Sequence, residues 1–195
     1  MPSRNNPPLR SNPARSNPAE SEQTDVNNAA RHITLLVLDV DGVLSDGRLY
    51  FSNSGEEIKN FHIHDGLGIK LLARAGIDTA IITGRSSAIV SRRAENLGIT
   101  HVMQGREDKL HALDELRQRL SLNFDQIAYM GDDLPDLAAI TRVGLGLTVA
   151  NANFVVRQHA DWISRHNGGD GAVREACELI LSAQGKLQAL IDEYL

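Results

Sequence analysis

Two aspartates, Asp39 and Asp41, close the apolar run Leu35, Leu36, Val37, Leu38 and are followed at once by Gly42. A short run of that character bounded by glycine reads as a strand covered on both faces, as in a parallel sheet. Side chains along a strand repeat every two residues, so both carboxylates are expected to leave the strand end on the same side. Like charges that close, partly withdrawn from water, are tolerable only with a shared proton or a cation. Mg²⁺ takes hard oxygen ligands, few of them carboxylates, and leaves room for substrate phosphate, so the pair points to phosphoryl chemistry.

Three later segments supply what such chemistry needs. The strand predicted at residues 78–82 runs into Thr83, Gly84 and Arg85 before a helical pattern, so that the Thr83 hydroxyl and the amides at the helix start form an anion site. Lys109 opens a helix whose apolar residues Leu110, Leu113, Leu116 and Leu120 share a face. The helix dipole disfavours an ammonium at that end, and a buried anion nearby accounts for it. A third strand at residues 127–130 ends in Gly131, Asp132 and Asp133, with Asp136 close behind. Taken singly, each has an ordinary explanation: a solvated turn, a helix cap, a surface lysine. Taken in order, each falls at a strand end or a helix start, and open α/β sheets bind ligands beyond the carboxyl ends of their strands.

With these residues identified, the chain resembles the haloacid dehalogenase superfamily of phosphatases, whose four motifs match Asp39-Val40-Asp41, Thr83, Lys109 and Gly131-Asp132-Asp133 in turn. The longer runs from Asp39 to Gly47, His64 to Lys70, Ile81 to Arg85 and Gly168 to Glu175 are similar to those of the 3-deoxy-D-manno-octulosonate 8-phosphate phosphatases, a small subfamily. Two departures are visible, since that subfamily usually has Arg where this chain has His64 and Lys70. An imidazole is only partly charged near neutral pH, which weakens the match at His64.

The resemblance implies Mg²⁺-dependent hydrolysis of a small acid sugar phosphate, in the synthesis of the inner-core sugar of lipopolysaccharide. Asp39 would be the nucleophile that becomes an aspartyl-phosphate, and Asp41 the acid and base. The metal would be held by Asp39, the backbone carbonyl of Asp41 and Asp132, with Asp133 and Asp136 orienting the site from behind. Thr83 and Lys109 would stabilise the phosphoryl oxygens. Substrate contacts map onto Asp41, His62, Ile63, His64, Asp65, Gly66, Lys70, Arg85, Arg93 and Lys109. Neither gap between the early motifs is long enough for a cap domain, and a homotetramer is implied in which hairpins meet centrally and the C-terminal segment of one subunit reaches a neighbour's site. In that arrangement the run from Gly168 to Gly171 gives the segment freedom to move, and Arg174 contacts the substrate across the interface.

The remaining pattern alternates strands and helices, giving an α/β fold: a doubly wound, mainly parallel sheet with one β-hairpin insertion, flanking residues 52–55, and no cap domain. Residues 1–28 read as a disordered tail. They are rich in Pro, Asn and Ser and carry Arg-Ser-Asn-Pro-Ala twice in tandem at residues 10–19, too polar to offset the entropy of ordering. Residues 29–195 read as a single domain. A net charge of -5 argues against nucleic acid as a partner. One cysteine, Cys177, excludes an internal disulfide, and no apolar run reaches membrane-spanning length, so a cytoplasmic enzyme with no membrane partner is expected. Two other functions share some of these features. A phosphatase for a nine-carbon acid sugar phosphate, such as a sialic acid 9-phosphate, would carry nearly the same motifs. A phospho-receiver domain also gathers Asp, Thr and Lys, but its acidic pair follows the first strand and its phosphorylated Asp lies two strands later, an order this chain does not follow.

Overall fold

The structure, a computed structural model, describes residues 18–195. The apolar run after Thr34 is β1 (Leu35–Leu38), with every residue buried. It lies mid-sheet because it has no polar face to offer water. It pairs in parallel with β4 (Asp78–Ile82) on one side and β6 (Ile127–Gly131) on the other. Beyond β4 lies β5 (His101–Met103), and beyond β6 come β7 (Leu145–Thr148) and the edge strand β8 (Trp162–Ile163). The sheet is therefore parallel throughout, and its carboxyl edge brings the ends of β1, β4 and β6 side by side.

Helices cover both faces. The connections from β1 to β4 and from β4 to β5 step outward in one direction, through α2 (Ile63–Arg74) and α3 (Ala88–Leu97). Those through α4 (Lys109–Leu120), from β5 to β6, and α5 (Leu137–Ile140), from β6 to β7, step in the opposite direction. Right-handed crossovers place the two sets on opposite faces. On the α2 side, α7 (Ala172–Ala183) packs along α2 over its buried face of Val173, Ala176, Cys177 and Ile180. The short helices α6 (Phe154–His159) and α8 (Leu187–Asp192) complete the chain. The hairpin expected around residues 52–55 is present as β2 (Tyr50–Phe51) and β3 (Glu57–Ile58), an antiparallel pair outside the main sheet. No helix among the described residues is long and apolar enough to cross a membrane.

Four local expectations need correction. The tail was expected to be irregular to residue 28, yet α1 (Pro18–Ala30) is helical, buries Val26 and Ala30, and packs on α7. Gln184 donates to the carbonyls of Ala30 and Ile33 at 3.2 and 2.8 Å, fixing the helix end. Residues 1–17, with most of the tandem repeat, lie outside the described residues. A helix is expected near residues 66–74, and α2 starts three residues earlier, because the His62 side chain caps it by accepting from the His64 amide. The strand carrying Asp39 stops at Leu38: the chain turns through Val40–Leu44, with Gly42 at φ 95°, and Ser45 N–H closes the turn on the Val40 carbonyl. Asp39 and Asp41 are thus not neighbours on one strand face.

The fourth correction concerns the glycine run before α7, expected to be a mobile link. Gly169 donates to the Val43 carbonyl at 2.9 Å and Gly168 to Asn151 Oδ1 at 2.9 Å. A Cβ at Gly168 would sit 1.7 Å from the Gly42 carbonyl oxygen. These glycines are needed for close approach, and they hold the start of α7 against the turn that carries Asp41. Gly168→Ala should therefore lower the midpoint of urea unfolding by the equivalent of about 1–3 kcal/mol, the usual cost of overpacking; an unchanged midpoint would refute the contact.

Candidate active site

Beyond the ends of β1, β4 and β6 opens a cleft of about 700 Å³ lined by Asp39, Asp41, Thr83, Arg85, Lys109 and Asp132, with Gly47, Gly84, Glu107, Asp133, Pro135 and Asp136 around them. Each strand delivers a residue from its carboxyl end, as the fold requires. Asp39 follows β1 and is 5% exposed. Thr83 follows β4 and is buried, its backbone tied to Met103 and Arg106. Asp132 follows β6. Lys109 opens α4 and reaches in from the opposite wall, 5% exposed.

Lys109 is the hinge of the electrostatics. Its Nζ lies 3.0 Å from Asp39 Oδ2 and 2.6 Å from Asp136 Oδ1. Burial alone would lower the lysine's pKa, but the charges of Asp39 and Asp136 outweigh it and hold the group above its ordinary value. Asp136 is fully engaged: Oδ1 also accepts from the Tyr129 hydroxyl at 2.8 Å, and Oδ2 accepts from the amides of Asp132 and Asp133 at 3.3 Å. Tyr129 lies in the middle of β6 without exposure, and burial followed by the Asp136 charge pushes its pKa well above ordinary. Asp136 is therefore a fixture that aims Lys109 and the start of the Asp132 loop.

Asp39 and Asp132 are not so satisfied. Asp39 Oδ1 is buried and has no hydrogen-bond partner among the described residues. Burial, then the charge of Asp136, raises the Asp39 pKa to about 6, against the pull of Lys109. Burial, then the charges of Asp39 and Asp136, raises Asp132 to about 7. Oxygen atoms of Asp39, Asp132 and Asp136 lie within 4.8 Å of one another. Gly42 makes this approach possible, for a Cβ there would fall 2.1 Å from Asp132 Oδ2. An orphaned buried carboxylate oxygen beside a second carboxylate with excess negative charge fits a hard divalent cation on Asp39 and Asp132.

The Asp41 carboxylate takes different partners. It pairs with Lys59, whose side chain is 1% exposed, and its Oδ2 lies 3.8 Å from Arg85 Nε. The strain of neighbouring carboxylates is thus relieved by separate cations, Lys109 for Asp39 and Lys59 for Asp41, rather than by one shared proton. The anion site expected at the start of α3 also differs. The Ser87 amide donates to Gln104 Oε1 at 2.7 Å and the Ile89 amide to Ser87 Oγ at 3.3 Å, so those donors are already used and only Thr83, Gly84 and Arg85 of that segment reach the cleft.

The other residues singled out from sequence form a second group outside this cleft. His62 and His64 stack edge to face at 4.8 Å. Arg93 lies over Phe61 and donates to the His62 carbonyl at 3.3 Å, beside Gly66. Asp65 is buried, accepts from the Arg174 amide at 2.8 Å, and is raised in pKa by burial. Ile63 and Lys70 are exposed on α2, and Arg174 pairs with Glu178 at 2.6 Å. Two residues escaped the sequence reading. Tyr129 had a signal, since a phenol in a fully buried strand must find a partner. Lys59 had none, because a lysine ending a hairpin strand ordinarily faces water.

Known proteins resemble this chain in both sequence and fold. Residues 99–175 match the family described as haloacid dehalogenase-like hydrolase. The chain is 48% identical to the 3-deoxy-D-manno-octulosonate 8-phosphate phosphatase KdsC of Escherichia coli (strain K12), over 84% of this chain and 87% of that one. Among solved structures, the 3-deoxy-D-manno-octulosonate 8-phosphate phosphatase of Moraxella catarrhalis, in complex with magnesium ion, phosphate ion and a KDO molecule, superposes with a TM-score of 0.87 at 48% identity, covering 88% of this chain and 99% of that one. A probable yrbi family phosphatase of Pseudomonas syringae pv. phaseolica gives the same TM-score at 58% identity, covering 88% and 97%.

The pH dependence of the metal-free protein follows from the two raised carboxylates. A folded pKa above the unfolded one favours the fold at low pH, and that contribution disappears as pH rises through 6 to 7. The melting temperature of chelator-treated protein should fall between about pH 5.5 and about pH 8, and added divalent cation should raise it most at the upper end. A melting temperature that instead rose across that interval would contradict the charge distribution described above.

Proposed function

The chain belongs to the 3-deoxy-D-manno-octulosonate 8-phosphate phosphatases of the haloacid dehalogenase-like hydrolases, and from that premise we propose that it hydrolyses 3-deoxy-D-manno-octulosonate 8-phosphate to the free sugar acid and phosphate, with Mg²⁺, in lipopolysaccharide inner-core synthesis. The observation that carries this reading is the buried Asp39, held by Lys109 and facing Asp132, at the convergence of three parallel strand ends.

The chemistry can be assigned to this chain's own groups. Asp39 attacks phosphorus as the bond to the sugar oxygen breaks, giving an aspartyl-phosphate and splitting hydrolysis into two easier steps. Asp41, at the mouth of the cleft, delivers a proton to the leaving oxygen and then removes one from the water that attacks the intermediate. Lys109 keeps the Asp39 carboxylate ionised and, with the Thr83 hydroxyl, stabilises the phosphoryl oxygens. Mg²⁺, held when bound by the carboxylates of Asp39 and Asp132 and the backbone carbonyl of Asp41, supplies Lewis-acid neutralisation of the phosphoryl charge. Asp133 and Asp136 orient these groups.

Recognition of the sugar end requires more than one chain. Arg85 and Asp41 line the cleft, but His62, Ile63, His64, Asp65, Gly66, Lys70, Arg93 and Arg174 do not. The hairpin and the start of α2 expose Phe51 at 60%, Ile58 at 60% and Ile63 at 76%. Apolar exposure of that extent on one insertion suits a protein interface. We infer a cytoplasmic homotetramer in which hairpins pack together and the α2 and α7 starts of one subunit, with Arg174, complete the site of the next. His64 and Lys70, where the family usually has Arg, would then tune how the sugar acid is held, and a sialic acid 9-phosphate is the competing substrate to set beside it.

Two experiments test this reading. Phosphate release from 3-deoxy-D-manno-octulosonate 8-phosphate should exceed that from a sialic acid 9-phosphate and stop on chelation, and Asp39→Asn should lower kcat by about 10³-fold or more with the melting temperature kept; appreciable turnover by that variant removes Asp39 as nucleophile. Phe51→Asp combined with Ile58→Asp should reduce the sedimenting mass and raise KM, whereas an unaltered assembly would place the interface elsewhere.

A further inference from the structure

A buried ammonium that no motif announces stands directly behind the proton-transfer carboxylate. Lys59 follows β3, and its side chain is 1% exposed. Removing such a charge from water is costly unless it is closely paired. Its partners are Asp41 Oδ1, in a short contact, and Glu57 Oε1 at 3.4 Å. Arg85 approaches the same two carboxylates from the solvent side, 3.2 Å from Glu57 Oε1 and 3.8 Å from Asp41 Oδ2. The four groups alternate in sign around a ring, with Lys59 as its buried member and Asp41 as the member facing the cleft.

The remaining support of the Asp41 carboxylate is weak. Ser45 Oγ lies 3.5 Å from Oδ1, at the limit of a hydrogen bond. The turn that carries Asp41 is not helical at that residue, with ψ 110°, so no backbone periodicity fixes the side chain. What aims the carboxylate is therefore supplied from the hairpin, far along the chain.

We propose that Lys59 is a positioning residue for Asp41, and that the hairpin insertion, through Lys59 and Glu57, reaches back into its own subunit's site and sets the proton-transfer geometry there. This rests on the assignment of Asp41 as acid and base in the preceding section. It gives the insertion an intramolecular task beside any contact between subunits.

The test compares two leaving groups. The value of kcat/KM reports formation of the aspartyl-phosphate and departure of the leaving oxygen. An alkyl phosphate such as 3-deoxy-D-manno-octulosonate 8-phosphate needs a proton at that step, whereas p-nitrophenyl phosphate releases a stable phenolate without one. Lys59→Met should lower kcat/KM for the sugar phosphate at least about tenfold more than for p-nitrophenyl phosphate, a fraction of what general acid catalysis is worth. A merely structural role would lower both alike, and equal losses would overturn the proposal. Should Lys59→Met fail to melt cooperatively, Glu57→Gln, at a side chain 19% exposed, removes one of the two carboxylates pairing with Lys59 and should show the same inequality at smaller size; equal losses there also overturn it. Asp41→Asn run in parallel separates the two levels. If it discriminates between the substrates and the Lys59 and Glu57 variants do not, the positioning role fails alone; if Asp41→Asn shows no discrimination, the acid assignment beneath it fails.

Discussion

Three carboxylates, Asp39, Asp132 and Asp136, are packed within 4.8 Å of one another against a single lysine. Most of the site can be read as the consequence of making that excess negative charge tolerable. Asp136 is neutralised locally by Lys109, the Tyr129 hydroxyl and two amides. That leaves Asp39 and Asp132 under-compensated, with raised pKa values and one orphaned oxygen. Such an arrangement is unfavourable for the empty fold and favourable for a cation and a phosphoryl group together, which is the trade expected of a preorganised site. The β1, β4 and β6 register and the start of α4 serve to keep these groups where water cannot relax the charge.

The second constraint is steric. The turn after Asp39 is hemmed in by Asp132 on one side and by Gly168 and Gly169 on the other, and glycine at positions 42 and 168 is what lets the three segments touch. The start of α7, residues distant in sequence from the turn after Asp39, is thereby part of its wall. Asp65 fastens the same helix start to α2 through the Arg174 amide. The start of α7, α2 and the turn bearing Asp41 are consequently joined by short contacts.

How far the sequence led follows from which forces are local. Strands β1, β4 and β6 were legible because buried parallel strands leave apolar runs, and α4 because its leucines recur at helical spacing. The motif residues were legible because strand order alone sends their carboxyl ends to one edge. The rest depended on tertiary contacts with no local signature. Helix α1 has too few apolar residues to announce itself and forms against α7 through Val26 and Ala30. The glycines before α7 look like a link in one dimension and are wedges in three. Lys59 carries an ordinary surface residue type into a buried ion pair, and the Ser87 and Ile89 amides at the start of α3 are taken up by Gln104 and Ser87, which no spacing rule foretells.

The central claim is that Asp39, held between Lys109 and the Asp132 loop, becomes covalently phosphorylated during turnover. Acid-quenched single-turnover reactions with 3-deoxy-D-manno-octulosonate 8-phosphate and Mg²⁺, followed by mass mapping of proteolytic peptides, test it most directly. The account predicts a transient acyl phosphate on Asp39 that forms and decays at rates consistent with kcat. A phosphoryl group on a different residue, or complete turnover with no labelled peptide at any time point, would contradict it.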